Sequence, residues 1–176
     1  MEVEVYSDAD EVELLLDGLS VGRAKTGPAN HYRALFTVPH QPGTLTAVAY
    51  DNGNERSRTA LTSAGEPELA VNIDRDQLSA NEEDLAFVAL ELRDPSGNLA
   101  TNADREVSVR VTGPGILQAL GSARPVSTES FNTSRCTTFD GRALAIVRPT
   151  GPGDIEITVS SPGLDDVHQK MAVRPA

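Results

Sequence analysis

The chain has 176 residues and a formal charge of −11 at pH 7, from 26 acidic residues against 15 Lys and Arg. A field of that sign repels nucleic acid and anionic membrane surfaces, and no Lys/Arg cluster reverses it locally. The single cysteine, Cys136, excludes an internal disulfide framework and a thiolate metal site.

Hydrophobic residues make up 39% of the chain, enough for a core, but only 4% is aromatic and there is no Trp. Val, Leu and Ala supply the filling, as in thin sandwiches. No stretch approaches the ~20 apolar residues that cross a bilayer. The start, Met1-Glu-Val-Glu-Val-Tyr6, opens on an alternating strand and has neither the basic start nor the apolar run of a signal peptide. The expectation is a piece of a longer protein, with cytoplasmic and exported placement both open.

Taken in order, short β-rich runs closed by turn residues recur throughout. Val3 to Tyr6 alternates, and Val12-Glu-Leu-Leu-Leu16 follows. Leu14-Leu-Leu16 has no apolar partners at helical spacing, and Gly18 and Gly22 interrupt it. Asp17-Gly18 is a two-residue turn signal, because Gly accepts the positive φ of primed hairpin turns. Tyr32 to Val38 ends at Pro39, which holds Val38 extended. Thr44 to Tyr50 alternates, turns through Asp51-Asn-Gly-Asn54, and returns as Arg56 to Thr62. Residues 1–64 are therefore predicted to form a small β-sandwich of five strands.

Ser63-Ala-Gly-Glu-Pro67 reads as a linker. Beyond it, strands are predicted over 69–73, 85–93, 106–112, 116–120, 142–148, 154–160 and 167–173, with 121–138 a long loop or crossover. Seven or more short strands with turn signals between them predict an immunoglobulin-like sandwich over 65–176. The fold class is thus all-β, two consecutive immunoglobulin-like antiparallel β-sandwich domains. Arg142–Arg148 is expected to pair with Asp154–Ser160 through Pro149-Thr-Gly-Pro-Gly153. Thr59–Thr62 and Glu156–Ser160 are expected to be edges, where interspersed charge discourages strand addition.

Chemistry-bearing residues are sparse. Asp8, Asp10 and Glu11, and the run Glu82-Glu83-Asp84, are read as solvated charge, lacking an aromatic or Arg that would tune them. His31, His40 and His168 show no metal-ligand spacing. Cys136 would need a nearby His and an electropositive setting to become thiolate. Gly113-Pro-Gly115 and Gly151-Pro-Gly153 lack a P-loop Lys and read as hairpin or crossover loops. Asp51-Asn-Gly-Asn-Glu55 is oxygen-rich, but it reads as a hairpin turn because the ligand spacing of a calcium loop is missing. Phe36, Phe87 and Tyr50 alternate as core residues would. Tyr6, Tyr32, Phe131 and Phe139 are left as weak candidates for a sugar platform. No catalytic, cofactor or metal-binding residue is assigned.

Two runs carry a resemblance. Val12-Glu-Leu-Leu-Leu-Asp-Gly-Leu-Ser-Val-Gly22 and Val38-Pro-His-Gln-Pro-Gly-Thr-Leu-Thr-Ala-Val-Ala-Tyr-Asp51 resemble the β-domain that follows the barrel in family 2 glycoside hydrolases. The pattern there reads V-E-L-F-L-N-G-x-S-L-G, then V-P-Y-x-P-G-T-L-x-A-V-A-Y. Ala64-Gly-Glu-Pro67 resembles the interdomain link. Leu85-Ala-Phe-Val88, Asp94–Asn98, Asn102-Ala-Asp104, Gly113-Pro-Gly115 and Gly141–Arg148 resemble the next immunoglobulin-like domain. Leu15, Asp17 and His40 replace the usual Phe, Asn and Tyr, and Leu15 is expected to be a smaller core filler. The resemblance implies a carboxy-terminal, non-catalytic part of a bacterial β-galactosidase or related exo-β-glycosidase. Neither catalytic motif of the barrel lies in this chain, so no catalytic residue carries over. The implied partners are the rest of the parent chain, its catalytic barrel above all, and a homo-oligomer partner. Carbohydrate binding and an adhesin-type repeat are the competing readings.

Overall fold

The computed structural model of the chain describes residues 1–39, 41–81 and 83–175. His40 and Glu82 lie outside the described residues. The chain divides into two compact units, Met1–Ser63 and Ala64–Ala176. Among the described residues no helix is long and apolar enough to cross a membrane.

The first unit contains β1 (Glu2–Tyr6), β2 (Glu11–Leu16), β3 (Leu19–Lys25), β4 (Arg33–Thr37), β5 (Thr44–Asp51) and β6 (Asn54–Thr62), with a 3₁₀ turn at Pro28–Asn30. A four-stranded sheet runs β3-β2-β5-β6, and β1 pairs with β4. Asp17 and Gly18 have φ of 50° and 81°, as a primed two-residue hairpin requires. The Asp17 carboxylate also accepts the backbone N–H of Thr44 at 2.7 Å, tying this hairpin to β5. Val12 and Leu14 of β2 bury against Ala34 and Phe36 of β4 and Ala49 of β5. β3 is a sixth strand that the sequence reading lacked. It is an edge with only half-buried or exposed side chains, so no apolar alternation marks it. Leu15 faces away from Leu14 and is half-buried outside this core, which corrects its reading as a core filler.

The second unit contains β7 (Glu68–Ile73), β8 (Gln77–Ser79), β9 (Ala86–Arg93), β10 (Glu106–Thr112), β11 (Gly115–Gly121), β12 (Arg135–Thr137), β13 (Arg142–Pro149), β14 (Gly153–Ser160) and β15 (Val167–Arg174). A sheet β12-β10-β14-β15-β8 faces a sheet β11-β13-β9-β7. All pairs are antiparallel except β15 with β8, which is parallel. The alternation supplies the core: Ala86, Val88, Leu90 and Leu92 of β9 and Ala145 and Val147 of β13 are fully buried with Ile155, Ile157 and Val159 of β14. Burying each Val, Leu or Ile side chain contributes roughly 1.5–3 kcal/mol.

Two expectations are corrected here. β13 and β14 do not pair: β13 lies between β11 and β9, and β14 between β10 and β15. The inward rows, Ala143, Ala145 and Val147 of β13 and Ile155, Ile157 and Val159 of β14, cover each other when the strands lie in opposite sheets rather than side by side. Thr150, Gly151 and Pro152 separate them, a length that at ~3.3 Å per residue spans the ~10 Å between packed sheets. Thr150 N–H donates to Pro114 O at 2.8 Å, joining this crossover to the Gly113-Pro114-Gly115 corner between β10 and β11. It follows that Glu156–Ser160 is central, not an edge, whereas β6 is an edge. The three-residue strands β8 and β12 were also absent from the sequence reading, being too short for a visible period.

Asp140-Gly141 forms a left-handed turn (φ 50° and 71°) in which a Cβ on Gly141 would fall 2.5 Å from the carbonyl oxygen of Ala100. Gly97 has φ +85° and open space around it. Gly97→Ala is expected to cost about 1 kcal/mol, the left-handed strain alone. Gly141→Ala should cost at least about twice that, because backbone overlap adds to strain. Urea unfolding at matched m-values checks the ranking, and a smaller loss at Gly141 would contradict the geometry.

Candidate functional site

Each acid run singled out in the sequence is engaged locally. Arg56 Nη2 donates to Asp8 Oδ2 at 3.0 Å, and that bond holds the Asp8 carboxyl below its usual range. Asp10 Oδ2 accepts Asn52 N–H at 2.8 Å, and Glu11 pairs with Arg23 at 3.1 Å. Asp84 accepts Ser79 N–H at 2.7 Å and Arg75 at 3.0 Å, while the amides of Glu83 and Asp84 donate to Asn81 Oδ1. Asn52 and Gly53 (φ 50° and 79°) close the β5–β6 hairpin in the Asp51–Glu55 stretch. Among the described residues no group of three or more His, Cys, Asp or Glu is placed to hold a metal ion.

His31 caps the 3₁₀ turn with φ 53° in the first unit, and His168 Nδ1 sits 3.2 Å from Thr158 Oγ1 in the second. Both are exposed. Cys136 is buried, and burial, with Glu129 adding to it, pushes its thiol up to about 11. A thiol so held is not a nucleophile near neutral pH.

The aromatic candidates divide between the two units. Tyr6 and Tyr32 are exposed in the first unit, where Tyr6 OH donates to Glu4 at 2.6 Å. In the second unit Phe131 is exposed, and Phe139 is half-buried under the Arg124 guanidinium at 5.1 Å. Phe36 is a core residue, but two expected core members are not. Phe87 is 40% exposed on the outer face of β9. Tyr50 lies half-buried on the sheet face opposite the first unit's core, because Glu11, its register partner on β2, alternates with the core residue Val12.

Two constellations were missed by sequence reasoning. The first surrounds Glu13, which accepts Ser20 Oγ at 2.7 Å, Tyr50 OH at 3.0 Å and Arg23 Nη2 at 3.1 Å. The Arg23 guanidinium also lies 4.1 Å over the Tyr50 ring. Ser20, Arg23 and Tyr50, in that order, lower the Glu13 carboxyl, and Glu13 in turn raises the Tyr50 phenol. The acid is thereby held as an ionised acceptor and the phenol as a donor, an arrangement that braces three strands. The signal was the Asp17-Gly18 hairpin, whose return strand sets Arg23 opposite Glu13.

The second is an outer-face groove of about 640 Å³ on the four-stranded sheet, lined among others by Ala119, Gly121, Phe131, Leu144 and Ile146. Its signal was present in β9 and β13, which read Ala-Phe-Val-Ala-Leu and Ala-Leu-Ala-Ile-Val. Runs apolar at consecutive positions mark strands apolar on both faces.

Among the described residues the most perturbed carboxyl is Asp94. It is nearly buried and accepts Asn98 N–H at 2.8 Å, Gly65 N–H at 2.9 Å, and Ser96 N–H and Asn98 Nδ2 at 3.0 Å. Gly65 first, then Asn98, lower it from 3.8 to about 2. These donors come from its own turn and from the first residues of the unit, so Asp94 fastens that entry.

The comparisons with known proteins match this architecture. The family model described as "Glycoside hydrolase family 2 C-terminal domain 5" matches residues 69–170. The chain belongs to this family. A second model, "Domain of unknown function (DUF4982)", matches residues 1–57. The chain is 34% identical over 169 residues to "Beta-galactosidase BoGH2A" of Bacteroides ovatus, covering 95% of this chain and 20% of that protein. It is 34% identical over 144 residues, 81% of this chain and 13% of the relative, to a Formosa agariphila protein carrying the name β-glucuronidase. The crystal structure of a glycosyl hydrolase family 2 member from Bacteroides cellulosilyticus superposes with a TM-score of 0.89 at 31% identity, over 98% of this chain and 23% of that one. The chain is thus a C-terminal β-region of glycoside hydrolase family 2, and it spans about a fifth or less of the curated relatives it matches.

Because the folded Asp94 carboxyl is lowered, its contribution to stability is complete above about pH 4 and is lost as pH falls toward about 2. Asp94→Ala is expected to lower the melting temperature at pH 7. The gap to the unsubstituted chain should close between about pH 4 and about pH 2. A calorimetric pH series checks this, and a gap independent of pH would contradict it.

Proposed function

We propose that this chain is a non-catalytic accessory region of a longer exo-β-glycosidase that hydrolyses terminal β-galactosides. Residues 1–64 would be the module following the catalytic barrel, and residues 65–176 the immunoglobulin-like module. The supporting observation is the match to a β-galactosidase over 95% of this chain but 20% of that protein. The chemistry of the region agrees with the reading. A retaining glycosidase needs two carboxyls facing each other across the sugar about 5 Å apart, one of them kept protonated to act as an acid. In this chain Glu13, Glu91 and Asp94 are each lowered by donors that stabilise the charged form. A carboxyl so held does not serve as a general acid near neutral pH.

In this reading the β-modules are scaffold, and hydrolysis by two-carboxylate displacement belongs to the parent barrel. The low aromatic content, with no Trp, favours scaffold over a carbohydrate-binding module, since exposed aromatic faces supply most of the contact area for sugars. The 176-residue chain is expected to turn over no nitrophenyl β-galactoside, while the longer polypeptide containing it does. Turnover by the short chain would contradict the non-catalytic assignment. Calorimetric titration of the chain with β-galactosides and β-linked polysaccharides should give no saturable heat below about 1 mM, roughly 4 kcal/mol of binding. A saturable isotherm would transfer the assignment to a carbohydrate-binding module.

A further inference from the structure

The two outer faces of the second unit's sandwich differ. A sheet with one face in water places polar side chains on that face. The five-stranded sheet does so, with Ser108 and Arg110 on β10, Glu156 and Thr158 on β14, and His168 and Lys170 on β15. The four-stranded sheet does not. From β9 across β13 to β11, one outward row reads Phe87, Ile146, Ala119 and the next reads Ala89, Leu144, Gly121, with the exposed Asn72 of β7 beside Ala89. Phe87 is 40%, Leu144 42% and Phe131 63% exposed. Phe131, from the loop between β11 and β12, extends the second row by lying against Gly121. A Cβ there would overlap its ring. Charge appears only at the rims of these rows. Glu91 pairs with Arg93 at 2.7 Å and Arg142 at 3.4 Å on one side, and Arg148 Nε donates to Gln118 at 3.0 Å on the other.

We infer that this apolar face docks against another domain of the same, longer polypeptide. The inference rests on the reading of the chain as an accessory region, and it names the surface through which that role is exercised. An apolar floor with a polar rim is the composition of a protein–protein contact. Five side chains in two rows plus one ring present at most a few hundred Å². A free dimer needs about 800 Å² from each partner. A tethered domain needs less, because the linker holds it at an effective concentration on the order of millimolar. The relatives supply such a tethered partner: this chain covers 20% of the Bacteroides ovatus β-galactosidase and 23% of the Bacteroides cellulosilyticus chain. At the centre of the face Phe87, Ile146, Ala89 and Leu144 carry no hydrogen-bonding group to orient a sugar's hydroxyls, and Asn72 of β7 stands at its margin.

Leu144→Cys places a thiol at the centre of the face, and Thr158→Cys places one on the polar face as a control. The native Cys136 is 3% exposed and its thiol is pushed up to about 11, so it contributes little background. In the 176-residue chain both introduced thiols should react with a maleimide at the rate of an open thiol. In the longer polypeptide the thiol at 144 should slow at least tenfold, the factor that about 1.4 kcal/mol of docking gives, and the thiol at 158 should not change. Phe87→Cys, on the neighbouring row, repeats the measurement should Leu144→Cys fold poorly. Equal rates at 144 in both chains would overturn the inference. Protection already present in the short chain, with a dimer in solution, would assign the face to a second copy instead. Protection of the short chain by a β-linked oligosaccharide would assign it to sugar. An active glycosidase in which the thiol at 144 stays open removes the docking face and keeps the proposed function; a longer, inactive polypeptide that protects it does the reverse.

Discussion

Successive residues of a pleated strand point to opposite faces, and in β9 and β13 both faces are apolar. Inward, Ala86, Val88, Leu90 and Leu92 meet Ala145, Val147 and the isoleucines of β14, all fully buried. Outward, Phe87 and Ala89 stand beside Ile146 and Leu144. The inward set closes the sandwich. The outward set has no counterpart within its own layer and makes the face a surface for contact. A shift of one residue in register would exchange the two sets. Correct pairing of β9 with β13 therefore decides at once whether the core fills and which side chains are left for a partner.

Electrostatics in this acidic chain act mainly to brace. The −11 net charge suggests a surface of free carboxylates, yet those with the clearest shifts are each held by a specific donor. Asp94 takes backbone N–H groups from its own turn and from Gly65, Glu13 joins β2, β3 and β5, and Glu91 sits between two arginines. In each case the environment stabilises the ionised form. That suits a member of a turn or of a strand ladder, whereas acid catalysis requires a carboxyl held neutral. The exposed pairs among these contribute little individually. Their effect is geometric, fixing where a loop enters a unit or how a hairpin lies on its sheet.

Strands with one buried face were readable because their apolar residues alternate. β2, β10 and β15 are of this kind. β3 was not readable: Leu19, Val21 and Gly22 lie along an exposed edge where nothing requires alternation. β8 and β12, three residues each, are set by the neighbours they reach. The pairing of β13 with β14 was misjudged for a related reason. Adjacency in sequence favours a hairpin, but the inward rows of these two strands bury more by facing each other across the core. Phe87 and Tyr50 were misplaced because alternation gives the period of a strand and leaves its phase to the fold.

The sequence by itself determined the all-β class, the hairpins at Asp17-Gly18 and Asn52-Gly53, and membership of a glycoside hydrolase family through motifs in consistent order. These depend on local properties: the period of side chains, the φ that glycine permits, and residue identity along one stretch. The tertiary structure alone decided which strands share a sheet, that Asp94 reaches Gly65, and that Phe87, Leu144 and Phe131 gather on one outer face. Those outcomes bring together residues tens of positions apart, and their energies come from burial and hydrogen bonds that exist only after the chain has closed upon itself.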